Sequence, residues 1–162
     1  MEPMDAFDLK ILAEVQRDGA ITHAQLADRV HLSPSQCSRR LQRLESLGVI
    51  DHYAAMLSRE KLGLGVTAYV MITMRAHSQA NLEDFRARML AIPEVLECCK
   101  ITGDADYLVK VISTDLARYD QILTEQLMRA PEVAVVRSSI VLQALKQTSQ
   151  LPLPAPDGSR PG

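Results

Sequence analysis

LSPSQCSRRLQRLESLGVI, residues 32–50, decides the fold of the N-terminal part of this chain. Ser33 and Pro34 are typical of a helix start, because serine caps the first backbone N–H groups and proline suits the first helical position. Gly48 is typical of a helix end. The leucines recur at helical spacing and are expected to face inward at Leu41, Leu44 and Leu47. The stretch therefore predicts a short, capped helix with one apolar side.

Two further helices are predicted before this one. The first is expected to have its apolar stripe at Met4, Phe7, Ile11 and Val15 and to end at Gly19. Thr22 followed by Gln25 is a capping box, which opens a second helix with inward residues Leu26, Ala27 and Val30. His31 and Leu32 then form a tight connection. Two short helices joined by about three or four residues, and braced by a preceding helix, match a helix-turn-helix.

The charge of the helix-turn-helix is locally positive, although the formal net charge of the chain is -2. Between Arg29 and Leu44 the sequence contains four arginines and no Asp or Glu. A helix-turn-helix inserts the N-terminal part of its second helix into the DNA major groove. The candidate DNA contacts are Ser33, Ser35, Gln36, Ser38, Arg39, Arg40 and Arg43. The alternative is a solvated charged face on a purely structural helix.

The side-chain types in this set suit a duplex. Glutamine can pair with adenine, arginine with guanine, and serine with phosphate or base edges. Arg43 lies one turn further along the helix and is expected to meet phosphate. Double-stranded DNA is the partner that this pattern predicts.

Strand-like and helix-like runs alternate in the region after residue 64. Their order, β-α-β-β-α-β, is typical of a ferredoxin-like sandwich. The expected helix stripes are Leu82, Phe85, Met89 and Ile92 in the first helix, and Leu116, Tyr119, Leu123 and Leu127 in the second. Two helices cover only one face of such a sheet, so the other apolar face predicts a dimer, sheet against sheet. Tyr53 and Met56 are expected in a connecting strand that packs against the dimer mate.

The predicted fold class is α+β, with an N-terminal helix-turn-helix (winged-helix-like) domain and a C-terminal ferredoxin-like βαββαβ domain. The expected divisions are a DNA-binding domain at 1–50, a linker at 51–63, an effector-binding and oligomerisation domain at 64–147 and a disordered tail at 148–162. The last eleven residues hold four of the eight prolines, a composition that buries no core. No apolar run reaches the roughly 18 residues that span a bilayer, and the acidic N-terminus lacks signal-peptide features. No membrane partner and a cytoplasmic location are therefore expected.

The cysteines and histidines give no sign of a metal site or a cofactor. Cys37, Cys98 and Cys99 are odd in number, and adjacent strand residues point to opposite faces, so small core-filling thiols are expected. The four histidines are expected in surface or capping roles, because none lies at a catalytic spacing from a Cys, Ser or carboxylate.

LSPSQCSRRLQRLESLGVIDHYAAMLSREKLG, together with TGDADYLVKV further on, resembles the signature of Lrp/AsnC transcriptional regulators, and the resemblance covers residues 5 to about 147. It implies a helix-turn-helix joined to a ferredoxin-like domain that forms homodimers, often assembled into tetramers or octamers. It also implies a small effector, usually an amino acid, bound between subunits of the second domain.

TGDADY, residues 102–107, is the candidate effector loop. A glycine turn beside acidic side chains offers N–H donors to a carboxylate and anions to an ammonium group. By resemblance this loop contacts the effector, through Thr102, Gly103, Asp104 and Asp106, and Ser138 and Ser139 on the final strand are expected to add contacts from a neighbouring subunit. Gly-Asp-Ala-Asp is also a good turn without a ligand. Family members commonly have an aromatic residue where this chain has Ala105, which leaves the identity of the effector open.

Two rival functions are weighed against a DNA-binding regulator that responds to an effector. An enzyme on the ferredoxin-like domain is disfavoured, because the sequence shows no nucleophile–base pair, phosphate loop or paired-carboxylate site. A ligand-sensing oligomeric module without specific DNA binding is disfavoured by the arginine-rich helix. The sequence therefore predicts a regulator rather than an enzyme.

Overall fold

The structure is a computed structural model that describes residues 4–154. This part of the chain falls into two compact units. One comprises residues 4–56 together with 146–154, and the other is Leu57–Leu145. The domain limits expected from the sequence, at residues 50, 63 and 147, stay predictions. None of the described helices has the length and apolar character needed to span a bilayer.

Three helices form the first unit: α1 at Ala6–Arg17, α2 at His23–Val30 and α3 at Pro34–Ser46. Each helix begins with a reciprocal capping box, in which the N-cap and N3 side chains accept hydrogen bonds from each other's backbone N–H groups. The pairs are Asp5 with Asp8, Thr22 with Gln25, and Ser33 with Gln36. The starts predicted for the second and third helices are confirmed.

The turn between α2 and α3 is closed by a residue in the left-handed region. His31 has φ 58° and ψ 48°, and it is the C-cap residue of α2. The N–H of Leu32 then donates to the carbonyl of Ala27 at 3.1 Å. This compact turn leaves only three residues between the end of α2 and the start of α3, as a helix-turn-helix requires.

The apolar core of the first unit differs from the predicted stripe at two positions. Ile11, Leu26, Cys37 and Leu44 are fully buried, whereas Phe7 is 37% and Leu47 is 46% exposed. The inward face of α1 instead includes a carboxylate, Asp8, which is 1% exposed. Positions 4, 8, 11 and 15 share one face of a helix as well as positions 4, 7, 11 and 15 do, so spacing alone did not decide between them.

Part of the predicted disordered tail makes specific contacts in the first unit. The N–H of Leu151 donates to Gln16 Oε1 at 2.6 Å, and Gln16 Nε2 donates back to the Leu151 carbonyl at 3.3 Å. Leu153 is half-buried against the same core as Val15. Residues 148–154 therefore have contacts on α1 but no helix or strand, and the rest of that predicted tail, 155–162, lies outside the described residues.

The second unit is a four-stranded antiparallel sheet with helices on one face. Its elements are β1 (Val66–Met74), α4 (Gln79–Ala91), β2 (Val95–Lys100), β3 (Tyr107–Ser113), α5 (Leu116–Gln121), a π-helix (Ile122–Met128) and β4 (Val133–Ile140). The strands lie in the order β2-β3-β1-β4, and every neighbouring pair is antiparallel. The ferredoxin-like βαββαβ fold is confirmed.

The π-helix changes which residues of the second helical segment face inward. Tyr119, Ile122 and Leu127 are buried, whereas Leu116 is 58% exposed. A π-helix carries more residues per turn than an α-helix, so the inward step from Ile122 to Leu127 is five residues long. The α-helical stripe predicted from Leu116 onward is therefore wrong at its first residue.

The sheet has one covered face and one open face. Alternate β1 residues, Val70 and Ile72 among them, are buried under the helices, while Tyr69 and Met71 point the other way and are 38% and 37% exposed. Leu108 and Val135 belong to the same open face, as their pairing with Met71 and Thr73 shows. The open face is defined here by Tyr69, Met71, Leu108 and Val135.

The prediction of core-filling thiols holds for one cysteine of three. Cys37 is fully buried on α3, and burial raises the pKa of its thiol. Cys98 and Cys99 are exposed in this chain because they lie on β2, an edge strand. The prediction of a connecting strand at Tyr53 and Met56 is also not met in the single chain, where residues 51–58 form no strand.

Candidate nucleic-acid interface and effector loop

The predicted DNA-contacting residues of α3 divide into an exposed group and a half-buried group. Ser33, Ser35, Gln36 and Arg39 are exposed, whereas Ser38, Arg40 and Arg43 are half-buried. The exposed group lies at the N-terminal part of α3, which is the part that a helix-turn-helix presents to the major groove.

Two members of the exposed group already hold the start of α3. Gln36 Oε1 accepts from the Ser33 backbone N–H and hydroxyl, each at 3.0 Å, and the Gln36 N–H donates to Ser33 Oγ at 3.3 Å. Bidentate pairing of glutamine with adenine requires both the side-chain oxygen and the side-chain nitrogen. Because the oxygen is engaged in the cap, only Gln36 Nε2 remains for a base or a phosphate.

The half-buried arginines turn back onto α1. Arg40 Nη1 donates to Asp8 Oδ1 at 2.7 Å and lies 2.8 Å from Asp5 Oδ2. Arg43 Nη1 donates to Asp8 Oδ2 at 3.0 Å. The Asp8 carboxylate, buried at the contact of α1 with α3, is thereby paired on both oxygens. Two of the three arginines predicted to meet DNA thus have partners inside the protein.

The charge of this network is locally balanced. The N–H of Asp8 holds the pKa of the Asp5 carboxyl below its usual range, with Arg40 adding to the effect against partial desolvation. Hydrogen bonding to Asp8, with Asp5 contributing, raises the pKa of the Arg40 guanidinium. Both groups therefore stay ionised across the physiological range, and the ion pairs persist throughout it.

Arg29 and Arg39 complete the four arginines of the positive segment. Arg29 Nη1 donates to Glu14 Oε2 at 3.0 Å, and this bond lowers the pKa of the Glu14 carboxyl. Within residues 4–154, Arg39 has no carboxylate partner and is exposed. The positive charge that α3 presents to solvent is therefore concentrated at Arg39.

Asp8 is the functional residue that the sequence analysis missed. A signal was available, since Asp8 lies four residues after Met4 and three before Ile11, which places it on the inward face of α1. An acidic residue on an inward face needs a cationic partner, because a buried unpaired carboxylate is very costly. The arginines of α3 were candidates for that cationic partner.

The predicted effector loop begins at the end of β2 and closes against the end of β1. The Asp106 N–H donates to the Ile72 carbonyl at 2.9 Å, and the Asp106 carboxylate accepts from the Met74 N–H at 2.7 Å. His77 Nε2 lies 2.8 Å from Asp106 Oδ1. The Met74 N–H, followed by His77, lowers the pKa of the Asp106 carboxyl. Asp106 therefore holds the loop to β1, a structural role that competes with the predicted ammonium contact.

The tip of the loop is exposed at Thr102, Gly103 and Asp104. Gly103 has φ +113°, a conformation that L side chains rarely adopt, and a Cβ there would meet nothing within 4 Å. Among the described residues, the backbone N–H groups of these three residues donate no hydrogen bond within the chain. The tip thus offers unpaired N–H donors beside the Asp104 carboxylate, which suits both ends of a zwitterion.

The two serines predicted to join the effector site lie on opposite faces of β4. Ser138 pairs with Val70 and hydrogen-bonds the Tyr119 hydroxyl under the helices. Ser139 pairs with Tyr69 and belongs to the open side of the sheet. The structure therefore separates the two side chains, and only Ser139 faces the open side.

The described residues bring together no group of three or more His, Cys, Asp or Glu side chains that could hold a metal ion.

Two parts of the chain match two different families of known proteins. Residues 4–51 match the winged helix-turn-helix DNA-binding family, and residues 67–151 match the Lrp/AsnC ligand binding domain. A leucine-responsive regulatory protein from Haemophilus influenzae is 40% identical over 150 residues, covering 93% of this chain and 90% of that protein. One from Rhizobium meliloti is 36% identical over 148 residues, covering 91% and 95%. The crystal structure of a transcriptional regulator from Neisseria meningitidis in complex with L-Met superimposes with a TM-score of 0.90 at 39% identity, covering 93% of this chain and 97% of that one.

Proposed function

The chain belongs to the Lrp/AsnC family of DNA-binding transcriptional regulators, and from that premise we propose that a free amino acid controls its assembly or its affinity for DNA. The proposal assigns DNA binding to the first unit and effector binding and oligomerisation to the second. The observation that carries the DNA-binding part is the exposed N-terminal half of α3, held by a capping box and free of acidic side chains.

We propose Arg39 as the principal DNA-contacting cation, with Ser35 and the Gln36 amide nitrogen beside it. Arg39 is exposed and has no partner among residues 4–154, so its guanidinium can meet a guanine or a phosphate at little cost. Ser35 Oγ lies 3.1 Å from Ser33 Oγ and is exposed at the same helix start. Ser33 then acts through the cap rather than through DNA, and Ser38 is half-buried.

Replacing Arg39 with alanine tests this assignment. We expect the affinity for a selected duplex to fall by roughly 1–3 kcal/mol if Arg39 reads a guanine, measured by fluorescence anisotropy. Arg86→Ala removes another exposed arginine, on α4, and is the matched control, with affinity expected to stay unchanged. Equal affinities for the wild type and Arg39→Ala would remove Arg39 from the interface.

Binding of the wild type to DNA should weaken steeply as the salt concentration rises, because arginines displace counterions from the duplex.

We propose the loop tip, Thr102–Asp104, with Ser139, as the effector site. The unpaired N–H groups of the tip suit a carboxylate, and Asp104 suits an ammonium group. The L-Met bound to the regulator from Neisseria meningitidis, and the leucine responsiveness named for the other relatives, support an amino acid. Asp106 is the weaker candidate, since its carboxylate is already bound by Met74 and His77.

A thermal-shift screen of the twenty amino acids tests the effector site. We expect at least one amino acid to raise the melting temperature, because a ligand that binds only the folded state stabilises it. Asp104→Ala should abolish that shift, while Asp84→Ala, which removes an exposed carboxylate on α4, should preserve it. A shift that persists in Asp104→Ala would exclude this loop as the ammonium partner.

We propose that the open face forms a homodimer with the same face of a second copy. Tyr69, Met71 and Val135 leave a contiguous apolar surface exposed, and apolar surfaces of that kind mark association sites. A symmetric dimer would present two copies of α3 to half-sites one or more DNA turns apart. Tetramers or octamers would add further copies, and an effector would select among these assemblies.

We propose that the chain works by binding alone, without catalysis. The relatives are named as regulatory proteins, and the charged groups described above are paired within the fold or exposed at the two binding surfaces. A ligand-sensing module without specific DNA binding remains the second candidate. It would show an amino-acid-dependent thermal shift together with equal affinity for selected and scrambled duplexes.

A further inference from the structure

We propose that Arg40 is a positioning residue, which together with Asp8 sets the orientation of α3 on α1, and that it reads no base. This inference rests on the proposed DNA binding by the first unit and specifies how α3 is held for that task. It assigns to Asp8, a residue buried in the protein, a measurable effect on DNA recognition.

The geometry of the carboxylate supports this role. Asp8 Oδ1 accepts from Arg40 at 2.7 Å, while Oδ2 accepts from Arg43 at 3.0 Å and from the Asp5 N–H at 3.1 Å. The two arginines are three residues apart and therefore lie on one side of α3. A single buried anion thus fixes two successive turns of α3 against the start of α1.

The Arg40 guanidinium is held from more than one direction. Its Nη1 also lies 2.8 Å from Asp5 Oδ2, and its Cζ lies 5.6 Å from the centre of the Phe7 ring. The Arg40 side chain is 22% exposed, and the Phe7 ring, itself 37% exposed, adds a cation–π contact at the edge of the core. Three consecutive features of α1, namely its N-cap, its first-turn ring and its buried carboxylate, therefore fix one side chain of α3.

Turning Arg40 toward DNA would weaken this arrangement. Nη1 is bound to two carboxylates, so the Nη1–Nη2 edge of the guanidinium could meet a guanine only if those ion pairs broke. Withdrawing it would leave Asp8 with one arginine, at a site that is 1% exposed. Losing one partner of a buried ion pair is strongly unfavourable, and a single base contact returns less. Arg40 therefore stays on α1 when DNA binds.

The adjacent residue faces elsewhere. With 3.6 residues per turn, Arg39 and Arg40 point in directions about 100° apart around the helix axis. Arg39 is exposed. One arginine of the pair consequently orients the helix and the other meets the duplex. Two neighbouring residues of the same type thus have different physical roles.

The test compares Asp8→Asn, Arg40→Ala, Arg40→Lys and Arg39→Ala in the full-length chain. The probes are a fluorescein-labelled duplex that the wild-type protein has selected from a randomised pool, and a scrambled duplex of the same length and composition. Circular dichroism melts confirm that each variant is folded at the assay temperature. If wild-type protein binds neither duplex, the proposed function fails, which is distinct from a failure of this inference.

A positioning role predicts the same pattern in two variants. Asp8→Asn and Arg40→Ala should each lower affinity for the selected duplex by about tenfold or more, while affinity for the scrambled duplex changes less than about twofold. The double variant Asp8→Asn/Arg40→Ala should lose no more affinity than either single variant, because each substitution already removes the same Asp8–Arg40 ion pair. Combining Asp8→Asn with Arg39→Ala should instead multiply the two losses. Arg40→Lys keeps a cation beside Asp8 and should retain affinity within about threefold.

Two results would overturn the proposal. If Arg40→Ala weakens both duplexes equally and lowers the salt dependence by about one counterion, Arg40 contacts phosphate. If Asp8→Asn binds DNA as tightly as the wild type or more tightly, Asp8 only restrains arginines that contact the duplex directly. Should Asp8→Asn or Arg40→Ala fail to fold, Arg40→Lys decides, because lysine can keep the ion pair but cannot replace a bidentate base contact.

Discussion

His31 occupies a backbone conformation that suits glycine better than histidine. Its φ of 58° and ψ of 48° place it in the left-handed region, which costs an L residue roughly 1–2 kcal/mol. His31→Gly should relieve that strain and, after the larger loss of chain entropy by glycine, stabilise the first unit by up to about 1 kcal/mol. Urea unfolding measures the change. His23→Gly, in the helical backbone at the start of α2, is the matched control and should destabilise by about 0.5–1 kcal/mol; equal shifts in the two variants would argue against strain at His31.

Asp106 makes the stability of the second unit fall at acid pH. Its folded-state pKa is lowered by the Met74 N–H and by His77. A lowered carboxyl pKa contributes stability that is fully present above the ordinary value of 3.8 and is lost as the pH falls through the lower folded-state value. Asp106→Asn should therefore flatten the loss of stability below about pH 4 and cost about 1–2 kcal/mol at pH 7.

Acid titration of the melting temperature measures this effect, with Asp104→Asn as the control. Asp104 is exposed at the loop tip, and its side chain makes no hydrogen bond among the described residues. The acid limb of that variant should follow the wild type. An unchanged acid limb in Asp106→Asn would show that its carboxylate contributes no pH-dependent stability.

At the scale of single residues, the sequence predicted those features whose cause is local. The caps at Thr22 and Ser33 involve partners three residues away, and both are present. The partner of Asp8 is 32 residues away at Arg40, and the partner of Asp106 is 29 residues away at His77. Pairs of that separation depend on how elements pack, which no local spacing specifies.

At the scale of elements, α3 depends on its cap for a firm N-terminal turn. Ser33→Ala should cost about 1 kcal/mol, because the Gln36 N–H loses its acceptor and the capping box opens. Hydrogen exchange of the first α3 amides should accelerate about fivefold. Ser35→Ala, two residues away and equally exposed, is the control and should leave exchange nearly unchanged. Equal protection in the two variants would contradict the capping role.

The second helical segment shows where pattern reading fails at this scale. Its sequence predicts one α-helix with inward residues at steps of three and four, whereas the structure changes to a π-helix at Ile122. The change keeps Ile122 and Leu127 on the sheet and leaves Leu116 exposed. The choice between an α-helix and a π-helix depends on where the sheet needs apolar side chains, so it follows from tertiary packing.

At the scale of the whole molecule, the open face predicts the oligomeric state. Met71→Asp places a charge between Leu108 and Arg137 on that face and should lower the mass measured by light scattering to that of a monomer. Leu90→Asp is the control, since Leu90 is 78% exposed on α4, in the layer opposite the open face. A dimer that survives Met71→Asp would place the subunit contact elsewhere.

The overall architecture followed from the sequence because periodicity, caps and turns agree within each half of the chain. The order of elements in the ferredoxin-like unit and the helix-turn-helix were both predicted from them. The roles of individual arginines were not, since net local charge does not reveal which cations are already neutralised. Arg40 and Arg43 contribute to the same positive count as Arg39, yet only Arg39 lacks an internal partner among the described residues.

The hydrogen bonds between Gln16 and Leu151 have a consequence for limited proteolysis. Trypsin sites at Arg59 and Lys61 lie at the start of the second unit, before β1, and cleavage there would break the only covalent path from α1 to β1. The C-terminal fragment would still end in the segment that lies on α1. The two pieces should therefore migrate together on a native gel and part only in denaturant, so a nicked preparation would pass for an intact one.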